Sequence, residues 1–290
     1  MGKVTRCASD VPNAERLLGQ TVFAFAPHST YAIVDHNAVR ILPNGIDPMD
    51  AVFLPAVETA LSIVQDARVI PGENVAIFGQ GLVGLLVSAI LHRTSVVHTP
   101  TGYRLGSLTV KESFENDGNH PNNCNSNDSP YRPSCGTITS FDVLSTRRSV
   151  STSLGSGECL HPHYAKISGP FDVCIEVSGN PRALQSAIDE CRRGGRVIIA
   201  SLYGGKDISL KLGLDFHRGQ RTIRTSQVSF VPADLSETWD KERRFDTTWE
   251  IIRALRPGRN LISRRVGLKD SQLAYELLEE GKEITVAFIY

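Results

Sequence analysis

Three glycines with the spacing GxGxxG, Gly79, Gly81 and Gly84, separate a wholly apolar run at 75–78 from a nearly unbroken apolar stretch at 82–91. A short apolar run that ends at glycine predicts a buried strand, and a stretch that is apolar on all sides predicts a helix packed under a sheet. The order of strand, tight turn and helix therefore limits the chain to an α/β arrangement.

The same glycine spacing indicates an anion site at the start of the helix. Gly79 permits the tight turn, Gly81 lets a diphosphate approach the backbone, and Gly84 lets the helix pack against the strand. Leu82 and Val83 open the helix, where free amides and the helix dipole favour negative charge. The sequence therefore predicts a dinucleotide site at this turn.

The choice between NAD and NADP depends on the residue at the end of the second strand of such a unit. We place that strand at 96–97, and no Asp or Glu lies between Glu73 and Glu112. Thr99 and Arg104 lie near the position instead, where a hydroxyl and a cation suit a 2′-phosphate. A solvated surface position is an equally supported interpretation of Arg104. We therefore expect NADP or NAD, with NADP favoured.

Composition changes between 109 and 158, where asparagine, serine, threonine and proline are dense. Such a segment buries too little apolar surface to offset its ordering entropy, so we predict a mostly disordered insertion. Strand and helix patterns resume from 171 onwards. We divide the chain into a β-rich segment at 1–50, a dinucleotide-binding domain at 51–255 that contains the insertion, and a return to the β-rich domain at 256–290.

Charge and apolar content narrow the function classes. The 31 basic residues balance the 31 acidic ones, so no net field attracts nucleic acid. The longest apolar run, at 81–91, is shorter than the roughly 18 residues that cross a bilayer. The six cysteines form no CxxC pair, which favours reduced thiols. We expect a cytoplasmic protein with a small-molecule substrate and no nucleic-acid or membrane partner.

Four blocks of the sequence, in this order and spacing, resemble the medium-chain dehydrogenase/reductase family, the relatives of zinc-type alcohol dehydrogenases. The likeness covers 19–108 and 168–290. It implies a Rossmann doubly wound parallel sheet, a remnant of a β-rich GroES-like catalytic domain, and hydride transfer between a nicotinamide and an alcohol or carbonyl. The blocks read DAVFLPAVETAL from Asp50, GENVAIFGQGLVG from Gly72, FDVCIEVSG from Phe171 and GGRVI from Gly194.

The resemblance also implies positions for site residues. Ser178 and Gly179 would lie at a strand end beside a ribose of the cofactor, Ser201 at the end of the next strand, and Thr59 close to the nicotinamide. The run at 216–227 resembles the polyol and threonine dehydrogenase branch of the family. Family likeness further suggests a homodimer through an exposed strand edge, at 222–228 or at 285–289.

The chain departs from the family in its metal ligands. The β-rich region that carries the first catalytic zinc ligands is mostly missing, and the position four residues before Thr59 is Pro55, which cannot bind a metal. The lobe with four close cysteines is also absent, so we expect no zinc and a shortened N-terminal part. A zinc-independent enzyme could use Glu58, Thr59 or Tyr31. The alternative is a non-catalytic nucleotide-binding protein or a truncated remnant.

Overall fold

The computed structural model describes residues 1–94, 136–154 and 157–290. The helices in this part are α1 (Ala14–Leu17), α2 (Pro48–Ala51), α3 (Leu54–Ala67), α4 (Leu82–Thr94), α5 (Ser145–Ser153), α6 (Ala165–Ser168), α7 (Pro181–Glu190), α8 (Leu214–Arg218), α9 (Lys241–Leu255), α10 (Pro257–Leu261) and α11 (Ser271–Glu279). The strands are β1 (Gly2–Lys3), β2 (Thr21–Phe23), β3 (Arg40–Ile41), β4 (Val75–Phe78), β5 (Ile138–Phe141), β6 (Glu158–Leu160), β7 (Phe171–Glu176), β8 (Cys191–Ile199), β9 (Thr222–Thr225), β10 (Arg264–Gly267) and β11 (Val286–Ile289).

Six parallel strands form the central sheet in the order β6-β5-β4-β7-β8-β9. Strand β4 comes first along the chain and lies in the middle, so the strand order reverses on either side of it. This is the doubly wound order in which ligands bind outside the carboxyl ends of the strands, at the point of reversal. The predicted α/β doubly wound sheet is confirmed.

Strand β4 and helix α4 lie where the apolar pattern predicts them. All four residues of β4 are buried, because helices cover both faces of a parallel sheet. Helix α4 is buried from Gly84 to Leu91, in agreement with a stretch that is apolar all round. One apolar core joins α3, α4 and α9 to the sheet, and a second packs α7 against the opposite face. These packed layers hold the turn between β4 and α4 in a fixed position.

The strand beside β4 is not the one predicted. Strand β5 pairs with β4 from Val75↔Ile138 to Phe78↔Phe141, within the segment that we predicted to be mostly disordered. Helix α5 and the start of β6 also lie between 109 and 158, so that prediction is wrong for its second half. The strand predicted at 96–97 lies outside the described residues. Buried hydroxyls in β5, and not apolar side chains alone, made this strand hard to recognise.

Two smaller sheets lie outside the central one. Strands β1, β2 and β3 form an antiparallel sheet within 1–50, and β10 pairs in parallel with β11 within 256–290. Helix α10 packs on α2, where the Gly258 amide donates to Asp50 Oδ1 over 2.7 Å. The grouping of these end segments into one β-rich domain stays a prediction. Among the described residues, no helix has the length and apolar character needed to cross a membrane.

Candidate functional site

The turn between β4 and α4 requires glycine at two of its three glycine positions. Gly79 has a φ of 106°, and a Cβ at this position would lie 2.8 Å from Cα of Ser178. At Gly84, a Cβ would overlap the carbonyl oxygen of Gly79 and press on Val177. The absence of side chains therefore lets β4, α4 and the end of β7 approach one another closely.

Gly81 differs, because a Cβ at this position would meet no atom of the described residues within 4 Å, apart from its neighbours along the chain. Packing therefore does not account for the glycine, whereas a ligand that approaches the backbone would. Leu82 and Val83 follow in the first turn of α4, where the leading amides have no partner within the helix. The turn fits a diphosphate at the helix start, as the sequence predicts.

Asp142 is an acidic residue of this site that the sequence reasoning missed. It follows β5 directly and is buried. Its Oδ2 accepts from the backbone amide of Gln80 over 2.7 Å, and its Oδ1 accepts from the backbone amide of Leu144 over 2.8 Å. The carboxylate therefore lies against the glycine turn, at the strand end where a ribose-binding acid is expected. Thr99 and Arg104, which we placed at this position, lie outside the described residues.

Two arginines of α5 lie near Asp142. Arg147 Nη1 is 3.8 Å from Asp142 Oδ2. Arg148 Nη1 instead donates to the carbonyl oxygens of Asp142 and Val143, each over 2.9 Å. The site therefore contains both an acid, which suits a ribose hydroxyl, and a cation, which suits a phosphate. The sequence FDVLSTRR at 141–148, with an aspartate directly after a short strand and two arginines close behind, is the pattern that could have indicated this acid and cation.

The Gln80 side chain fixes the turn through hydrogen bonds in the protein interior. It is fully buried, and its Nε2 donates to the carbonyl oxygen of Gly79 over 2.8 Å. Its Oε1 accepts from Ser88 Oγ of α4 over 3.2 Å and from Ser151 Oγ of α5 over 2.9 Å, while Ser88 Oγ lies 2.9 Å from Ser140 Oγ of β5. This buried polar network joins the turn to three elements, and satisfied networks of this kind rigidify a site.

Three residues that the resemblance assigned to the cofactor come together on the other side of the turn. Ser178 and Gly179 follow β7, and Ser201 follows β8. Ser201 Oγ accepts from the Gly179 amide over 2.8 Å, and Lys206 Nζ donates to the carbonyl oxygen of Gly179 over 2.9 Å. The contact of Ser178 with Gly79 places this group directly against the glycine turn.

A fully buried carboxylate, Glu176, supports this group from within the sheet. Its Oε1 accepts from the Ser178 amide over 2.7 Å and from Ser178 Oγ over 2.6 Å, and its Oε2 accepts from the Tyr203 hydroxyl. Burial, together with the hydrogen bond to Glu176, raises the pKa of Tyr203 above its ordinary range. Tyr203 therefore acts here as a hydrogen-bond donor. The sequence reasoning assigned no role to either residue.

Contacts within the protein account for two of the candidate catalytic side chains, those of Glu58 and Thr59. Glu58 is buried and accepts from Arg244 Nε over 3.1 Å and from Nη2 over 2.8 Å, a salt bridge that accounts for the carboxylate without a catalytic role. Thr59 Oγ1 donates to the carbonyl oxygen of Pro55 over 2.8 Å, within its own helix. Tyr31 is 85% exposed. A catalytic role for Thr59 stays a prediction.

Zinc of the family type does not fit the donors that the structure describes. In residues 1–94, 136–154 and 157–290, no group of three or more His, Cys, Asp or Glu side chains could hold a metal ion. Pro55, which offers no donor atom, opens α3 together with Leu54.

Comparison with known proteins points to dehydrogenases, although no family profile matches the chain. D-guloside 3-dehydrogenase of Escherichia coli (strain K12) is 22% identical over 264 residues, which cover 87% of this chain and 64% of the relative. L-threonine 3-dehydrogenase of Anaeromyxobacter dehalogenans (strain 2CP-1 / ATCC BAA-258) is 24% identical over 263 residues, which cover 87% of this chain and 61% of the relative. The chain thus spans less than two thirds of the length of these relatives.

Solved structures give the same picture of the fold. An alcohol dehydrogenase of E. coli CFT073, described as short chain and complexed with NADH, matches with a TM-score of 0.67 at 12% identity, over 99% of this chain and 82% of that one. A dehydrogenase of Sinorhizobium meliloti 1021 bound to NADP matches with a TM-score of 0.56 at 16% identity, over 83% and 59%. The curated relatives therefore confirm the resemblance to dehydrogenases, and these solved structures show the shared fold.

Proposed function

We propose that the glycine turn at the carboxyl end of β4 binds a nicotinamide adenine dinucleotide and that the chain acts as an oxidoreductase of the medium-chain dehydrogenase type. The single observation that carries the proposal is the open space at Gly81, in a turn where the Gln80 backbone amide binds Asp142 and Gly79 packs against Ser178. Packing explains Gly79 and Gly84 but not Gly81. A diphosphate at the helix start accounts for Gly81.

The two strand ends that flank β4 give the dinucleotide a direction. Asp142 follows β5 on one side of β4 and would accept from the hydroxyls of the adenosine ribose. Ser178 follows β7 on the opposite side of β4, so the nicotinamide half would lie there. Two carboxylate lone-pair sites of Asp142 are taken by backbone amides, which leaves two for a ligand.

We propose NAD as the preferred cofactor, in place of the NADP preference inferred from the sequence. A carboxylate at the ribose repels a 2′-phosphate and binds a free hydroxyl. Arg147 is the residue that favours the opposite choice, but its Nη1 already lies 3.8 Å from the Asp142 carboxylate. Partial neutralisation of Arg147 by this carboxylate weakens its attraction for a phosphate.

When bound, the nicotinamide would accept hydride from an alcohol or donate it to a carbonyl. The chain's own residues would bind the diphosphate at the turn, accept from the ribose at Asp142, and hold the turn at Ser178 and Gly179. The described donors do not fit a zinc ion, so no step through zinc is proposed. The substrate is proposed to be a small alcohol or carbonyl compound, by likeness to the named dehydrogenases.

A titration of the purified protein with NADH and NADPH, followed by quenching of nucleotide fluorescence, tests the binding proposal. A panel of alcohols, aldehydes and ketones, followed by absorbance of the reduced nicotinamide, tests turnover. We expect tighter binding of NADH and turnover of at least one substrate. Binding without turnover would favour the non-catalytic alternative, and failure to bind either nucleotide would overturn the proposal.

We also propose that the exposed edge of β9 pairs with a second copy of the chain. This strand ends the six-stranded sheet, and unpaired backbone groups at such an edge are a template for pairing. Light scattering coupled to gel filtration tests this: a dimer is expected, and a monomer at high protein concentration would exclude it. The cytoplasmic location expected from the sequence stays a prediction.

A further inference from the structure

The fully buried carboxylate of Glu176 has no cationic partner in the part of the chain that the structure describes. Burial of a carboxylate without an ion pair is unfavourable unless hydrogen bonds satisfy its oxygens. Glu176 is in register with Phe78, the residue that precedes Gly79. A buried carboxylate that is satisfied by hydrogen bonds alone therefore lies directly beside the glycine turn.

Hydrogen bonds to Glu176 connect the segment that follows β7 with the segment that follows β8, beyond the point where the two strands pair. Its Oε1 holds Ser178 through an amide and a hydroxyl, and its Oε2 holds the Tyr203 hydroxyl from the segment that follows β8. Two further bonds join the same segments, from the Gly179 amide to Ser201 Oγ and from Lys206 Nζ to the Gly179 carbonyl oxygen. The segment after β8 is thereby fixed to the turn after β7.

We propose that Tyr203 and Glu176 are positioning residues for the nicotinamide half of the dinucleotide, an inference that rests on the proposed function. Their hydrogen bond fixes the Ser178–Gly179 turn, which lies on the β7 side of the glycine turn, opposite Asp142. The adenosine half of the dinucleotide, which would extend towards Asp142, depends on contacts that do not involve Tyr203. Loss of the Tyr203 hydroxyl is therefore expected to weaken one half of the site and not the other.

The chemistry of Tyr203 agrees with positioning and not with proton transfer. Burial raises its pKa, and the hydrogen bond to Glu176 raises it further, so the phenol keeps its proton and donates a hydrogen bond to the carboxylate. A residue that exchanges protons with a substrate works best when its pKa lies near the working pH. Tyr203 instead holds Glu176 Oε2 satisfied, and Phe at this position would leave that oxygen without its donor.

The test compares NADH with ADP, which contains the adenosine and the diphosphate but lacks the ribosyl nicotinamide. Dissociation constants are measured by fluorescence for NADH and by calorimetry for ADP, in the wild type and in the Tyr203→Phe variant. We expect NADH binding to weaken about tenfold, equal to roughly 1.4 kcal/mol. We expect ADP binding to stay within about twofold of the wild type.

The matched control is Tyr275→Phe, which removes the same hydroxyl from an exposed tyrosine of α11 and should change neither constant. If Tyr203→Phe does not fold, as judged by circular dichroism, Ser201→Ala breaks the same connection at the Gly179 amide and should show the same selective loss. Equal weakening of NADH and ADP, or no weakening of either, would overturn the positioning role alone. A wild type that binds ADP and NADH equally weakly would overturn the proposed function as well.

Discussion

The backbone amide of Gln80 donates a hydrogen bond to Asp142 Oδ2 over 2.7 Å, although 62 residues separate the two along the chain. One residue lies inside the glycine turn and the other at the end of the neighbouring strand. Their contact joins the two halves of a nucleotide-binding fingerprint that the sequence presents far apart. It also gives the site the carboxylate whose absence would otherwise favour NADP.

The first prediction concerns the Asp142 carboxylate. Asp142→Asn removes the negative charge with little change of shape, so we expect NADH binding to weaken about tenfold, because hydrogen bonds to a charged group contribute roughly 1.5–3 kcal/mol. NADPH binding should stay constant or tighten, because the repulsion of its 2′-phosphate is lost. Fluorescence titration measures both. Asp10→Asn, at an exposed position, is the control, and an unchanged ratio of the two constants would contradict the assignment.

The second prediction separates the two kinds of glycine in the turn. Gly81→Ala adds a methyl group that, apart from the adjacent residues, meets no atom within 4 Å in the part of the chain that the structure describes, so we expect unchanged thermal stability and at least about tenfold weaker NADH binding. Gly84→Ala places its methyl group against the Gly79 carbonyl oxygen and should lower the melting temperature. Unchanged NADH binding in a folded Gly81→Ala protein would mean that the diphosphate does not lie at this turn.

The sequence predicted the centre of the fold well because local signals coincide there. An apolar run, a glycine turn and an apolar helix stand next to one another, and the structure places β4 at Val75–Phe78 and the start of α4 at Leu82. Each element is defined by its own composition and by its neighbours along the chain. No knowledge of distant contacts is needed to recognise such a unit.

The second strand could not be recognised in the same way. Strand β5 buries Thr139 and Ser140, and the Ser140 hydroxyl is satisfied by Ser88 of α4. Composition counts these hydroxyls as polar and therefore predicts a segment exposed to solvent. Only the contact with a distant helix shows that such residues are compatible with a buried strand. The acid Asp142 was missed for the same reason, since it was sought beside a strand at 96–97.

The pairs around the candidate site also depend on contacts that sequence spacing does not reveal. Glu58 and Arg244 are 186 residues apart along the chain. Glu176 is the last residue of β7, whereas Tyr203 lies in the segment that follows β8. A glutamate on a helix face predicts either a solvated group or a catalytic one, and the partner decides between them. The partner is known only once the sheet has brought the two segments together.

The third prediction follows from the buried salt bridge between Glu58 and Arg244. Arg244 is 1% exposed, so Arg244→Met leaves the Glu58 carboxylate buried without a cation and should lower the free energy of unfolding by roughly 3–5 kcal/mol. Urea denaturation measures this change. Arg259→Met, at an exposed position, should have little effect.

A double variant tests whether the loss comes from the unpaired charge. Glu58→Gln together with Arg244→Met removes both charges and should recover part of the stability, because no buried ion is left unpaired. The folded double variant should bind NADH as the wild type does, since the side-chain hydrogen bonds of Arg244 go to Glu58, Phe230 and Val228 and not to the glycine turn. Weaker NADH binding in this variant would return Glu58 to the list of functional residues.

The fourth prediction concerns the thiol of Cys159 at the end of the sheet. Burial is the main cause that raises its pKa to about 11, and the nearby Asp142 charge raises it further, against the lowering effects of Ser151 and Arg148. Only the thiolate reacts with alkylating reagents, and at pH 8 its fraction is about a hundredfold lower than for a thiol that titrates at 9.0. The alkylation rate of Cys159 should therefore keep rising up to about pH 11.

Peptide mapping by mass spectrometry after timed exposure to iodoacetamide measures the rate, with the urea-unfolded protein as control. A rate that levels off near pH 9 in the folded protein would show that the thiol is open to solvent and that Cys159 is not half-buried as described.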